Sequence, residues 1–378
     1  MKILLVSAFF HPHTGGAEMY AQELLSSIES SHPDVIIDVL THNTNKSQNF
    51  ETFQRFEITR VPALAIIPDQ FYLSHPISLI KTLFRLAKND YDVVITQTRF
   101  FEPTWWVWLF ARIIKAKSVF IGHGTGFVSH ESKLVRVISR FIDKTISAWS
   151  VKRYDKVIVI SSQTQQFFEK TLKVTNTTLI PGGINTQLFT GSSERENTRP
   201  LVISYIGRLI EAKGLFLLYD AVKNLLKDKS LTRDIKLNIA GSGPIYNELR
   251  SRIAKDNLQN SIKMHGHITY ESVPALLKNT HIFINPSFNE GLPRNVLEAS
   301  ASGCIVIATD VGSTRDIIDS FGILIKPHSV EAIMNAIKKV DNDFDRFQSQ
   351  GKNLKQYVVD TFDWNSISEK VYILISNQ

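Results

Sequence analysis

From Thr190 to Pro200 the chain reads Thr-Gly-Ser-Ser-Glu-Arg-Glu-Asn-Thr-Arg-Pro. The run is polar, lacks any aliphatic side chain and ends in proline, so it suits neither a buried strand nor a helix and reads as a linker. Before it, apolar runs of strand length alternate with helical patterns. Strands are expected at Lys2–Ser7, Val35–Thr41, Val93–Gln97, Ser118–Gly122, Lys156–Ser161 and Thr178–Ile180. Helices are expected at Ala17–Ser30, Pro76–Lys88, Pro103–Ile114 and Ser132–Tyr154. After the linker the rhythm restarts with Leu201–Ile206, Ile235–Ala240, Ile262–His265, Ile282–Asn285, Ile305–Ala308 and Gly322–Ile325. Continuous Val/Ile/Leu runs are what a parallel sheet covered on both faces demands. The expectation is an α/β protein with two doubly wound Rossmann-like domains in series and a cleft between them. The domains are expected at 1–189 and 201–360, joined by 190–200, with 361–378 a terminal helix that crosses back to the first domain.

At 378 residues the chain exceeds one ordinary core. Cys304, the single cysteine, lies in the apolar run Gly303–Ala308 and reads as an inert core thiol, in keeping with a reducing compartment. Lys2–Phe10 is apolar but short and leads into His11-Pro12-His13-Thr14-Gly15-Gly16, so it reads as a first strand and not a leader peptide. No run reaches the ~18 apolar residues of a membrane span. A cytoplasmic protein is expected.

In open α/β sheets ligands sit beyond the carboxyl ends of the strands, and the unusual residues fall there. Gly15-Gly16-Ala17-Glu18 follows the first strand: its glycines either let amides approach a phosphate or form a plain turn, with Glu18 serving the helix dipole. His123, between Gly122 and Gly124, suits a general base or a group that orients a sugar hydroxyl. Arg208 and Lys213 follow Leu201–Ile206 and suit a diphosphate, the first as a fork and the second as a point charge, or else are solvated surface cations. Gly241-Ser242-Gly243-Pro244 serves equally as a phosphate loop or as a helix start with Pro244 at the first position. In Asn285–Ala299 a strand end becomes a helix at about Pro293. Glu290 lies before that helix and Glu298 inside it: either they hold two hydroxylated pieces of one ligand, or Glu290 caps backbone and Glu298 is a solvated face residue. Glu298 looks buried, and a buried carboxylate needs partners. His11, His13, His265 and His267 do not assemble a metal set, so no metal is expected.

Together these residues resemble the family-4 retaining glycosyltransferases of GT-B fold, over essentially the whole chain and in order. The resemblance rests on Gly15–Glu18, His123-Gly124, Pro181–Asn185, Gly207-Arg208 with Lys213, Gly241–Gly243, and Glu290 with Glu298 in a Pro-Ser-x-x-Glu-Gly setting. It implies that Gly15 and Gly16 approach donor phosphates and that Arg208 and Lys213 neutralise the leaving diphosphate. Glu298 would take the ribose; Glu290, with Gly291 and Leu292, the donor sugar; and His123 would face its reactive side. Gly241 and His267 would belong to the donor site, with the base near Met264–Ile268. His123, Glu290, Arg208 and Lys213 are then the catalytic set. The implied activity is metal-independent transfer, without a cofactor, from a UDP- or GDP-sugar to a saccharide or lipid-linked acceptor in surface polysaccharide synthesis. Asn185 stands where the family commonly has aspartate, and Pro62–His75 matches no pattern.

The net charge of +7 is concentrated. Between Arg99 and Lys156 eleven cations oppose four acids, an excess equal to that of the whole chain. Phe100, Phe101, Trp105, Trp106, Trp108 and Phe110 interleave with Arg99 and Arg112, with Lys115 and Lys117 beyond. These residues suit an anionic membrane surface over 99–156 at the inner face of the plasma membrane, or else the aromatics are core. No nucleic-acid motif accompanies the charge. Two rivals stay open: a nucleotide-sugar epimerase on the same architecture, and a non-catalytic nucleotide-sugar-binding protein at a membrane. The first strand lacks the Gly-x-Gly-x-x-Gly of a hydride-transfer enzyme.

Overall fold

The computed structural model describes residues 1–378 apart from 14, 46, 68–70, 128–131, 190–199, 229–230, 319 and 378. The linker expected at 190–200 therefore lies outside the described residues, Pro200 excepted. The chain forms two compact units, Met1–Gly182 with Trp364–Gln378, and Gly183–Asp363. The division falls within Pro181–Asn185 and not at 189, because residues 184–186 are bound to the end of the second unit. Ile184 donates to the Phe362 carbonyl (2.9 Å), and the Thr186 hydroxyl donates to Asp363 Oδ2 (2.5 Å).

The first unit carries strands β1 (Lys2–Ser7), β2 (Ile36–Asn43), β3 (Phe50–Phe53), β4 (Phe56–Ile67), β5 (Phe71–Ser74), β6 (Val93–Gln97), β7 (Lys117–Gly122), β8 (Lys156–Val159) and β9 (Thr177–Leu179). They are ordered β3-β4-β2-β1-β6-β7-β8-β9, with β5 on β4. The pairs along β4-β2-β1-β6-β7-β8-β9 are parallel, and β3 and β5 run antiparallel to β4. Alternation along β1 supplies both faces. Ile3 and Leu5 pack under the helices Gly16–Ser31 and Trp364–Ser376. Leu4 and Val6 belong to the core on the other face, where the helix Pro103–Ile113 packs through Val107 and Phe110.

The second unit carries β10 (Leu201–Ile206), β11 (Ile235–Ala240), β12 (Ile262–Gly266), β13 (Ile282–Asn285), β14 (Ile305–Thr309) and β15 (Ile323–Ile325), all parallel, in the order β12-β11-β10-β13-β14-β15. One face packs on helices Leu215–Lys227 and Val330–Asn342, the other on Arg294–Ala301 and Phe344–Phe362. Cys304 is fully buried in the second of these cores.

Candidate functional site

Strand order in the second unit decides where a ligand fits. From β10 the chain steps outward to β11 and β12, then crosses to β13 on the other side of β10. The loops leaving β10 and β13 therefore diverge from adjacent strands, which is the switch point at which such sheets bind ligands. Arg208 and Lys213 lie on the first loop and Glu290 on the second. The loops are tied by the amide of Phe288, which donates to the Ala212 carbonyl (2.8 Å), and by an ion pair between Lys213 Nζ and Glu290 Oε1 (2.6 Å).

Glu290 is held from several sides. Asn285, the buried last residue of β13, directs Nδ2 at Glu290 Oε1 (3.3 Å) and at Asn295 Oδ1 (3.3 Å). The Ser287 hydroxyl fixes the Asn285 amide by donating to its Oδ1 (2.5 Å), and Asn295 Nδ2 donates to the Ile206 carbonyl of β10 (2.8 Å). From the loop after β14, Gly312 has φ +58° and lies so close that a Cβ would stand 2.2 Å from the Glu290 carbonyl oxygen. Only glycine admits this approach. The Tyr205 hydroxyl donates to the Arg208 carbonyl (3.1 Å); burial, reinforced by the charge of Glu290, pushes that phenol well up.

Arg208, on the same loop as Lys213, is exposed and, among the described residues, enters no ion pair. Glu298 lies in the helix Arg294–Ala301 and is only 6 % exposed. That helix starts at Pro293, whose side chain makes no cap, and Gly291 beside it is open, with nothing within 4 Å of where a Cβ would sit. The helix after β11 begins at Tyr246 and not at Pro244, while Gly241 has a packing reason of its own to be glycine. Its φ is +142°, and a Cβ would lie 1.8 Å from the Gly207 carbonyl oxygen, so its glycine serves contact between the β10 and β11 loops. His265 bonds to Asn238 Oδ1 (2.9 Å), and burial, aided by Lys263, lowers its pKa; His267 is exposed. Among the described residues no three His, Cys, Asp or Glu side chains converge as a metal set.

In the first unit His123 ends the strand-to-loop turn after β7. The hydroxyl of Ser7 donates to the Phe9 carbonyl (2.7 Å), so it can only accept from Gln97 Nε2 (3.0 Å). Gln97 Oε1 is then an acceptor, and His123 Nε2, 3.0 Å away, carries the proton. The Nδ1 atom is left as an acceptor. Tyr20 meets the ring edge-on at 4.8 Å. Burial lowers the His123 pKa to about 4, so the imidazole is neutral at pH 7 and a weak base. That favours orienting a hydroxyl over removing a proton. Gly15 lies under the Glu18 carboxylate, whereas Gly16, the first residue of its helix, is open. Gln97, Asn285 and Asn295 were not singled out by sequence; a polar residue closing a buried strand was the available signal for the first two.

Within the aromatic run Phe110 is buried, and Phe100, Phe101, Trp105, Trp106 and Trp108 are half-buried. Arg99 is buried, with Nε 3.2 Å from Asp143 Oδ1 and its guanidinium donating to the Gly124 and Gly126 carbonyls. It staples the loop after His123 and is no surface cation. Burial lowers the Arg99 pKa and raises that of Asp143, each opposed by the other's charge. Phe110 is core, and Trp106 donates to buried Glu102 (2.6 Å). Burial alone would raise the Glu102 carboxyl, but bonds from His42, the Ser74 amide and Trp106 hold it below its usual range.

Two family models match: "Glycosyltransferase Family 4" over residues 14–188 and "Glycosyl transferases group 1" over 190–357. An uncharacterised glycosyltransferase of Methanocaldococcus jannaschii is 28% identical, the match covering 96% of this chain and 95% of that protein. A UDP-Gal:alpha-D-GlcNAc-diphosphoundecaprenol alpha-1,3-galactosyltransferase of Escherichia coli is 23% identical over 77% of this chain and 78% of its own. Among solved structures, an Anabaena protein in complex with UDP superposes with a TM-score of 0.75 at 17% identity, covering 100% of both chains. That structural likeness is one of fold: two Rossmann-like domains of the GT-B type.

Proposed function

The chain belongs to the family 4, group 1 glycosyltransferases, and from that premise we propose that it moves a sugar from a UDP- or GDP-sugar to a saccharide or lipid-linked saccharide acceptor. The product is a surface polysaccharide or its precursor. The single observation that carries the donor site is the Lys213–Glu290 pair at the switch point of the second unit. One cation and one carboxylate meet there, with exposed Arg208 on the same loop as the cation, at the strand ends where a diphosphate and its sugar fit.

In this reading Arg208 and Lys213 bind the pyrophosphate, Glu298 accepts from the ribose hydroxyls and Glu290 accepts from the sugar. Gly241, Gly291, Leu292 and His267 complete the donor surroundings, and Gly15 and Gly16 offer amides to the phosphates. The bond from the anomeric carbon to the phosphate oxygen breaks, and one from that carbon to the acceptor oxygen forms on the same face, with retention. The acceptor's proton passes to the departing phosphate, so the products are a nucleoside diphosphate and a glycoside. Negative charge grows on the leaving phosphate, and two preplaced cations stabilise it without a metal. Neutral His123 orients a sugar hydroxyl through Nδ1. The Escherichia coli relative, named for a UDP-sugar and a diphosphoundecaprenol-linked acceptor, supports both ends of this reading. Peripheral contact with an anionic membrane completes it, because a lipid-linked acceptor resides there.

A thermal-shift screen against UDP-, GDP- and ADP-sugars tests it, since a ligand that binds only the folded chain raises its melting temperature. A rise with UDP- or GDP-sugars is expected; no rise with any nucleotide sugar would overturn the donor assignment.

A further inference from the structure

The helix Lys133–Ile142 and its continuation to Val151 are turned inside out. Ser139, Asp143, Ser147 and Ser150 are buried, while Leu134, Val137, Ile138 and Phe141 are 67%, 59%, 48% and 65% exposed. The exposed four are spaced i, i+3, i+4, i+7, one continuous stripe. Two more helices on the same face of the sheet share the feature. Pro76–Leu86 exposes Ile77, Ile80 and Phe84, and Pro103–Ile113 exposes Leu109 and Ile113. Between these two runs an apolar groove of about 380 Å³, lined by Leu79, Leu83, Phe84, Trp106 and Phe110. Trp108, edge-on to Trp149 at 5.5 Å, joins the second helix to the third. In the second unit, by contrast, Leu188 and Tyr270 are the exposed large apolar side chains among the described residues.

Charge on these helices has one sign. Lys81, Arg85 and Lys88 are exposed on or just after the first, and Arg112 and Lys115 on or just after the second; Lys133, Arg136, Arg140, Lys144, Lys152 and Arg153 are exposed along the third. The stretches 76–88, 103–117 and 132–154 contain one acid, Asp143, which is buried against Arg99. A patch that is both apolar and cationic selects its partner. Nucleic acid would meet the cations and leave the stripe in water. A second copy would bury the stripe but set cation against cation. An anionic bilayer takes both, with acyl chains under the stripe and headgroups around the rim.

We propose that the outer face of these three helices docks on an anionic phospholipid bilayer, with Leu134, Val137, Ile138 and Phe141 inserted at the headgroup boundary and the flanking cations on lipid phosphates. This names the surface for the membrane contact of the proposed function, and it rests on that reading only for its purpose. No described helix is long and apolar enough to cross a membrane, and this one lies along the interface.

Flotation of the full chain with phosphatidylglycerol–phosphatidylcholine vesicles, and with phosphatidylcholine alone, tests the surface without donor or acceptor. Binding is expected to the anionic vesicles and to be at least ~10-fold weaker to the neutral ones. Ile138→Ser with Phe141→Ser, and separately Arg136→Glu with Arg140→Glu, each change exposed side chains and should weaken vesicle binding about tenfold or more, with the melting temperature and the nucleotide-sugar shift retained. Equal binding to both vesicles, no binding to either, or variants that bind as the parent does would each overturn the proposal. So would a self-association, seen by sedimentation velocity, that the variants abolish while vesicles go unbound. Loss of the nucleotide-sugar shift in the parent chain would instead count against the donor site and leave the vesicle result standing.

Discussion

Lys213 Nζ stands 2.6 Å from Glu290 Oε1, although 77 residues separate them in the chain. The contact joins the loops that leave β10 and β13, so the sheet order itself brings the two charges together. Both side chains keep some exposure, 22% and 10%, which limits what the pair contributes to folding. In the proposed function its value lies in holding both groups ready for the donor.

Replacing Glu290 by alanine should therefore reduce turnover far more than stability. A loss of at least tenfold in kcat is expected, with a melting temperature within a few degrees of the parent. Steady-state sugar transfer and a thermal melt check both halves; a parent-like kcat would sink the assignment of Glu290 to the sugar.

Burial takes the His123 pKa from 6.5 to about 4. Between these values the unfolded chain binds a proton that the folded chain does not. Stability should fall as pH drops from 6.5 to 4; the cost, about 3 kcal/mol from this group, is complete below that window and absent above it. His123→Asn should lose this component. Urea midpoints measured across the window for both proteins give the comparison, and identical slopes would refute the link to His123.

Gly241 and Gly16 should respond oppositely to alanine. At Gly241 a Cβ meets the Gly207 carbonyl at 1.8 Å, and the positive φ adds strain, so Gly241→Ala should cost on the order of 3 kcal/mol. At Gly16 nothing lies within 4 Å, and alanine at that helix start should change stability by less than ~1 kcal/mol. Chemical denaturation distinguishes them; equal effects would mean that the loop packing is not what Gly241 serves.

Removing one partner of the Arg99–Asp143 pair strands a buried charge. Arg99→Met should cost about 3–5 kcal/mol, and adding Asp143→Leu should recover much of it. A double variant no better than the single one would show that the Gly124 and Gly126 contacts, and not the ion pair, dominate.

The fold was readable where local pattern and tertiary demand agree. Continuous runs such as Leu201–Ile206 and Ile305–Ala308 can only be strands covered on both faces, and they are. The β3–β5 segment was not readable. In β4 the strand passes through Arg60 and Pro62, residues that argue against a strand locally. Arg60 is buried there because Glu51, 2.6 Å away on β3, and the His11 carbonyl satisfy it, and neither partner is visible from the neighbouring sequence. The same holds for Arg99. As one of a string of cations it reads as surface, yet Asp143, forty-four residues on, draws it inside. Around Asp143, Ser139 and Ser147 are likewise buried and Phe141 is exposed. At the candidate site, Lys213 and Glu290 stood out by residue type and by position after a strand. Their mutual contact, and the roles of Asn285 and Gly312 in fixing it, depend on strand order, which the sequence implies only through the fold.

In the proposed donor site, two cations on the β10 loop hold a nucleotide diphosphate. Calorimetric titration of UDP and GDP into the parent chain and into the Arg208→Ala, Lys213→Ala double variant tests it most directly. The parent should bind, and the variant should lose about 3 kcal/mol, roughly a hundredfold in Kd. An unchanged Kd would contradict it.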